Sequence, residues 1–293
     1  MNSFFNIYYI ICIIWCLTFL GVILNLLLTY SASPSKFKEK VYQKIPSPLN
    51  PGELSILMYK KISPDVFSAT IMFLVKKGVL TLKRKKDDFV IILNENNIRL
   101  SPSQKMVINI LINGMGNGRQ VTFNQIKDYC KSDFNCSEFL INYNLWKQML
   151  IRESNKKKFY IDKLEYSQVK ILRTTGIILF LLNIIFGFNS LIGYFIIIPA
   201  CFIVLYFYKI YKRTEQANEE YHKWLAFKRY LNNIDKYSYE KENIGSYIIY
   251  GLVLKMPDLE QKLTDFHCVE KLNNMINHIV ILSSLKGNRG LKF

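Results

Sequence analysis

Residues 50–93 read NPGELSILMYKKISPDVFSATIMFLVKKGVLTLKRKKDDFVIIL, a stretch that predicts two helices followed by a β-hairpin. The first helix is expected to begin after Asn50, because asparagine is a preferred N-cap residue and Pro51 suits the first helical position. Glu53 lies three residues after the cap and completes a capping box. Ser63, again followed by proline, repeats the signal for the second helix.

The second helix is predicted to end at Gly78, since glycine commonly closes a helix. Two short strands are expected next, at 79–82 and 89–93, joined by a charged turn at 83–88. Helices followed by a basic hairpin are typical of winged-helix domains. We therefore predict a first winged-helix-like module over residues 31–96.

The same order of elements recurs further along the chain. Ser101 opens a helix in the same manner, and residues 121–123 suit a short strand. Two more helices and a second basic strand are expected at 124–130, 135–151 and 156–161. These elements predict a second winged-helix-like module over residues 97–165, in tandem with the first.

Two uncharged, strongly apolar runs lie outside these modules, at 4–28 and 174–208. Runs of this length are typical of membrane-spanning helices. The first predicts one helix within residues 1–30. The second is interrupted by turn-forming residues at 187–190, and therefore predicts a hairpin of two helices at 170–209, either fully spanning or re-entrant. The expected fold class is a mostly α membrane protein with three apolar helices and small β-hairpins.

Charge predicts the orientation of the chain. The net charge is +17, and every Lys and Arg lies between the two apolar runs or after the second. Under the positive-inside rule, both of these segments belong in the cytoplasm. We expect a multi-pass protein of the inner membrane, with the N-terminus outside and the lipid bilayer as one partner. A cleaved signal peptide is the alternative for the first run, although no basic residue precedes it.

Residues 210–293 are predicted to form a C-terminal cytoplasmic helical region. Its aromatic and leucine side chains recur at helical spacing, which is typical of a packing or partner face. The candidate residues of this face are Tyr221, Trp224, Leu225, Tyr247 and Tyr250.

Basic residues are concentrated in the two predicted wings. They are Lys83, Arg84, Lys85 and Lys86 in the first, and Lys156, Lys157 and Lys158 in the second. The favoured interpretation is a solvated face or contact with anionic lipid; contact with nucleic-acid phosphates is the alternative. Nucleic acid is not favoured, because Asp65 and Asp133 open the candidate recognition helices and would repel a duplex.

The chain resembles a bacterial family of predicted membrane proteins, domain-of-unknown-function family 2207, over residues 46–257. The matching segments are PLNPGEL at 48–54, the helix end at 74–80, RT at 213–214, WLAFKRYL at 224–231 and residues 247–252. The resemblance implies the same order of spans. In that family, a signal peptide and an extracellular β-rich domain precede the first span. This sequence shows neither, so no role in external sensing is expected.

The sequence contains no recognisable catalytic motif. Its histidines are scattered, and the glycine-rich segment 114–118 lacks the Lys-Ser/Thr ending of a phosphate-binding loop, so it is interpreted as a flexible linker. The cysteines show no paired spacing that would suggest zinc or a disulfide framework. We therefore expect no enzyme, no cofactor and no metal site.

The leading functional hypothesis is a non-enzymatic scaffold or regulatory component that binds a protein partner through its cytoplasmic modules. One alternative is a membrane-tethered, nucleic-acid-binding regulator. Another is a subunit of a small transporter.

Overall fold

The computed structural model describes seven stretches of the chain and seven isolated positions. The stretches are 35–85, 88–95, 97–160, 213–236, 239–256, 258–264 and 267–290, and the isolated positions are 17, 21, 24, 174, 177, 178 and 181. The chain divides into two compact units, one formed by Met1–Lys36 with Lys158–Asn218 and the other by Phe37–Lys157 with Glu219–Phe293. Most of the described residues belong to the second unit.

The described structure is mostly helical, with one small antiparallel sheet. The helices are α1 (Pro51–Tyr59), α2 (Pro64–Lys76), α3 (Pro102–Ile108), α4 (Phe123–Asp128), α5 (Asp133–Asn155), α6 (Glu215–Asn232), α7 (Ile244–Val253), α8 (Leu259–Leu263) and α9 (Cys268–Gly290). The strands are β1 (Leu80–Lys85), β2 (Asp88–Leu93) and β3 (Gln120–Thr122). A π-helix, Asn109–Met115, continues α3 without a break.

The predicted helix starts are confirmed. The side chain of Asn50 accepts a hydrogen bond from the backbone N–H of Glu53 at 2.8 Å, and Glu53 Oε2 accepts one from the backbone N–H of Asn50 at 3.0 Å. Ser101 and Gln104 form the same reciprocal capping box at the start of α3. Such caps satisfy backbone donors that have no partner within the helix. Gly78, with φ 73°, supplies the predicted end of the second helix.

The three strands form one sheet in the order β1-β2-β3. β1 and β2 form the predicted hairpin, in which Leu80 lies opposite Leu93 and Leu82 lies opposite Ile91. β3 pairs with the other side of β2, where Val121 lies opposite Ile91. The strand predicted for the second module therefore completes the sheet of the first.

Helix α2 lies at the centre of the second unit. Its ring of Phe67 makes edge contacts with Tyr143 and Trp146 of α5, at centroid distances of 5.8 and 4.9 Å. Such edge-to-face pairs add about 0.5–1.5 kcal/mol each beyond the area that they bury. α2 also contacts α1, α3, α7, α9 and β1. An apolar helix of this kind is stable in water only when neighbours cover it on every side.

Helix α9 is part of the same core. Leu272, Ile276 and Ile279 are fully buried within it, and α9 packs against both α2 and α5. At the start of α2, Asp65 Oδ1 accepts hydrogen bonds from the amides of Asn273 and Asn277 at 3.0 and 3.2 Å. Residues from the predicted C-terminal region and from both predicted modules thus share one hydrophobic core.

The predicted fold class, with three apolar helices beside tandem winged-helix-like modules, is wrong as a description of this structure. Among the described residues, no helix combines the length and the apolar character that a bilayer crossing requires. The two longest, α5 and α9, carry five and four charged side chains, which in α9 lie near the two ends. The predicted spans at 4–28 and 174–208 lie almost entirely outside the described residues.

The glycine-rich segment is a tight turn and not the predicted flexible linker. The N–H of Gly118 donates to the carbonyl of Ile112 at 2.9 Å, and that of Asn117 donates to the carbonyl of Gln120 at 3.1 Å. Gly118 has φ 83°, a conformation that favours glycine. This turn joins the π-helix to β3.

Substitution of Gly52 by alanine tests the packing of α1 on α5. The added Cβ would collide with the buried side chain of Leu150. We expect Gly52→Ala to lower the free energy of unfolding by about 1–3 kcal/mol, as measured by urea denaturation of the detergent-solubilised chain. Gly245→Ala is the matched control, because its Cβ would meet nothing within 4 Å. Equal stability of the two variants would contradict this packing.

Candidate binding surfaces

The basic hairpin is exposed to solvent. Lys83, Arg84 and Lys85 form the exposed end of β1, whereas Lys86 lies outside the described residues. Successive side chains of a strand point to opposite faces of the sheet. Arg84 therefore lies on the face that contains Leu82, and its two lysine neighbours lie on the other face.

The second basic group contacts different elements. Lys156 caps the end of α5, and Nζ of Lys157 lies 3.8 Å from Oε1 of Glu53 on α1. Lys158 has a left-handed backbone, with φ 51°, and its carbonyl accepts a hydrogen bond from Thr214 Oγ1 at 3.3 Å. Among the described residues, these three lysines follow the end of α5 and do not lie on a β-hairpin wing.

The candidate aromatic face is mostly interior. Trp224 has no exposed surface, and Tyr247 and Tyr250 are almost fully buried; Tyr221 and Leu225 are half-buried. The ring of Trp224 lies 4.9 Å from that of Tyr250, and its Nε1–H donates to Ser47 Oγ at 3.2 Å. These contacts hold α6 and α7 together, and the three buried rings are not accessible to a partner.

An exposed apolar row on α5 was not identified from the sequence. Phe134, Ile141 and Leu145 are 74%, 62% and 42% exposed. Their spacing of seven and four residues places them along one line of the helix. The sequence signal that could have found this row is a second apolar stripe on α5. The buried stripe is separate from it and comprises Cys136, Phe139, Tyr143, Trp146, Leu150 and Ser154.

The end of α9 lies beside the start of this row. Nζ of Lys286 lies 2.8 Å from Oδ1 of Asp133, and Leu285 and Ile281 are 63% and 58% exposed. Phe134 and Leu285 are thus the direct chain neighbours of two residues that form an ion pair. We use the name apolar row for Phe134, Ile141, Leu145, Ile281 and Leu285.

A groove lined mainly by polar and charged residue types opens along the first half of α9. Its volume is about 630 Å³, and its lining consists of Lys127, His267, Glu270, Lys271, Asn274, Met275 and His278. Only Lys127 comes from α4; the others lie on α9 or immediately before it. The groove is therefore a surface between two packed helices.

Two cysteines of the described part are held as thiols. Burial raises the pKa of Cys130 to about 12, and burial with the nearby Glu260 carboxylate raises that of Cys268 to about 11. The thiolate is the nucleophilic form of cysteine, so neither group is activated at neutral pH. No cluster of three or more potential metal ligands occurs among the described residues.

Comparison with known proteins identifies one family. The family model described as predicted membrane protein (DUF2207) C-terminal domain matches residues 39–254. Neither the curated proteins nor the solved structures gave a significant match.

Substitution of Tyr250 tests the burial of its hydroxyl in the candidate aromatic face. Burial, with a smaller contribution from Glu53, raises the pKa of Tyr250 to about 12. A raised folded-state pKa contributes stability below pH 10 that is lost as the pH rises toward 12, because the unfolded tyrosine ionises first. We expect Tyr250→Phe to reduce the fall of the thermal midpoint between pH 10 and 12.

The same variant should be less stable at pH 8, because it loses the hydrogen bond from Tyr250 Oη to the carbonyl of Leu49. Tyr239→Phe, at an exposed position, serves as the control and should leave the pH profile unchanged. A Tyr250→Phe profile that matches the unsubstituted protein would contradict the burial of this hydroxyl.

Proposed function

Because the chain belongs to the family of predicted membrane proteins defined by the DUF2207 C-terminal domain, we propose that it is a membrane-associated scaffold or regulatory component without catalytic activity. In this proposal, the second unit binds a protein partner. The observation that carries the proposal is the exposed apolar row on α5 and α9.

Single exposed apolar side chains are common, but a cluster of them indicates an interaction site. The apolar row contains five large side chains that are each more than two-fifths exposed. Three of them are aligned on α5, and the other two lie one helical turn apart on α9. A partner helix or loop could bury this surface without unfolding the unit.

The charges around the apolar row favour a protein over a lipid surface. Asp133 precedes Phe134; its side chain is 83% exposed, and Lys286 offsets its charge through their ion pair. Glu138 lies between Phe134 and Ile141 on the same side of α5. Helix faces that contact anionic lipid are rich in Lys and Arg, whereas carboxylates beside the apolar residues are repelled by such lipid.

The cytoplasmic location remains part of the proposal. The net charge of +17 supports it through the positive-inside rule. The described cysteines Cys130, Cys136 and Cys268 are free thiols, as is usual for proteins of a reducing compartment.

Site-specific crosslinking tests this proposal. A photoreactive amino acid at position 141 of the full chain should give a protein adduct of one discrete mass in living cells, because Ile141 lies in the middle of the row. The charge substitution Phe134→Asp should abolish the adduct. Gln148→Glu, at an exposed position on the same helix, should not affect it.

Two results would contradict the proposal. One is the recovery of lipid adducts alone at position 141. The other is an equal loss of the protein adduct in the Phe134→Asp and Gln148→Glu variants, which would show that the effect is not specific to the apolar row.

A second candidate function, nucleic-acid binding, is favoured only by the exposed hairpin. No carboxylate forms an ion pair with Lys83, Arg84 or Lys85 among the described residues. However, α2 is covered by α9 and cannot enter a groove of DNA, so binding would be limited to backbone phosphates. The transporter hypothesis depends on apolar runs outside the described residues.

A DNA-binding measurement decides this second candidate. If the hairpin binds phosphates, the solubilised full chain should retain duplex DNA at 50 mM salt, and retention should fall steeply by 200 mM. The double substitution Lys83→Glu/Lys85→Glu should remove it, whereas Lys105→Glu, at an exposed position on α3, should have little effect. No retention at low salt would exclude this function.

A further inference from the structure

The groove on α9 lies next to strand β2 of the basic hairpin. Nζ of Lys271 lies 5.8 Å from the ring centroid of Phe89 on β2. The ring of Phe89 in turn lies 5.2 Å from that of Phe123, the first residue of α4. The hairpin, α4 and α9 therefore meet around Phe89.

A hydrogen bond fixes the hairpin to α4 at this junction. The backbone N–H of Asn124 donates to Oδ2 of Asp88 at 3.2 Å. This bond holds the start of β2 against the first turn of α4, the helix that supplies Lys127 to the groove. The position of the hairpin relative to the groove is thus set by direct contacts.

The strand register places Arg84 on the groove side of the sheet. Arg84 lies directly opposite Phe89, and side chains of directly opposed residues share one face. Arg84 therefore lies on the same face of the sheet as the Phe89 ring that Lys271 approaches. Lys83 and Lys85 lie on the opposite face. Of the hairpin cations that the structure describes, the register therefore places only Arg84 on the face of Phe89.

The charge of the groove is positive. Lys127 and Lys271 bring two permanent cations to the lining, and Arg84 adds a third on the adjoining hairpin. Among the described residues, no carboxylate forms an ion pair with any of them. Glu270 is the one carboxylate of the lining. It already accepts a hydrogen bond from Gln261 Nε2 at 3.0 Å, and His267 Nδ1 lies 3.8 Å from it.

We propose that this groove binds a phosphate-bearing anion, with Lys127, Lys271 and Arg84 as its cationic contacts. Phosphate oxygens form strong, charge-assisted hydrogen bonds with such groups. The volume of about 630 Å³ suits a small phosphorylated solute or a lipid headgroup, since ligand pockets commonly measure about 300–1,000 Å³. Asn274 and His278 add neutral hydrogen-bonding groups for the rest of the ligand.

This inference does not rest on the proposed protein partner. The groove occupies the first half of α9, whereas the apolar row lies on α5 and on α9 from Ile281 onward. A failure of the crosslinking experiment at position 141 would leave the groove unaffected. Conversely, an empty groove would not alter the exposure of the apolar row.

Calorimetric titration of the full chain in a non-ionic detergent tests the inference. The first probe is inorganic pyrophosphate, and the second is short-chain phosphatidylglycerol, with short-chain phosphatidylcholine as its zwitterionic reference. Saturable binding of pyrophosphate would support a soluble phosphorylated ligand. Binding of phosphatidylglycerol alone, and not of phosphatidylcholine, would support a headgroup.

The variants distinguish the groove from general basicity. Lys271→Glu and Arg84→Glu should each weaken binding of the responsive probe about tenfold, because each replaces an attraction by a repulsion. Lys83→Glu makes the same charge change at the neighbouring position on the other face, and should weaken binding less than about twofold. Circular dichroism confirms that each variant is folded.

The inference is overturned if neither probe binds at millimolar concentration. It is also overturned if Lys83→Glu weakens binding as much as Arg84→Glu, since the ligand would then respond to the net charge of the hairpin and not to the groove.

Discussion

The burial of α2 is the constraint on which the rest of the second unit depends. This helix is mostly apolar, and seven of its thirteen residues are buried, so neighbours must cover most of its surface. It is contacted by α1, α3, α7, α9 and β1, and by α5 through the ring of Phe67. The aromatic contacts of Phe67 fix α5, and the carboxylate of Asp65 fixes α9 through two asparagine amides. The surfaces that remain available for binding lie on the outer faces of the surrounding helices and on the exposed hairpin.

Local signals in the sequence predicted local structure well. The capping boxes at Asn50 and Ser101, the stop at Gly78 and the β1–β2 hairpin depend on residues within a few positions of one another, and the structure contains each of them. The tandem arrangement was wrong because pairing between strands is not local. Val121 suits a strand in either module. The backbone donors and acceptors of β3 find their partners on the free edge of β2, which lies far away in the sequence.

The candidate surfaces were harder to predict than the elements. A stripe of aromatic residues such as Trp224 and Tyr250 has the same spacing whether it is covered or exposed, and long-range packing decides between the two. The apolar row was missed for the same reason. α5 carries apolar residues on two sides, and the sequence does not show which side is covered. The groove could not be found from the sequence at all, since its two lysines, Lys127 and Lys271, come from separate elements. A run of basic residues predicted exposure correctly, but only the strand register separates Arg84 from Lys83.

The position of α9 in the sequence also affects when the unit can fold during synthesis. Asp65 and Asn273 are 208 positions apart, so the ribosome must make all of the intervening chain before their hydrogen bond can form. Until α9 emerges, one side of α2 and of α5 remains uncovered. A nascent chain in that state exposes an apolar surface that favours aggregation or capture by a chaperone. This core can therefore close only late in synthesis, even if the capped helices form earlier.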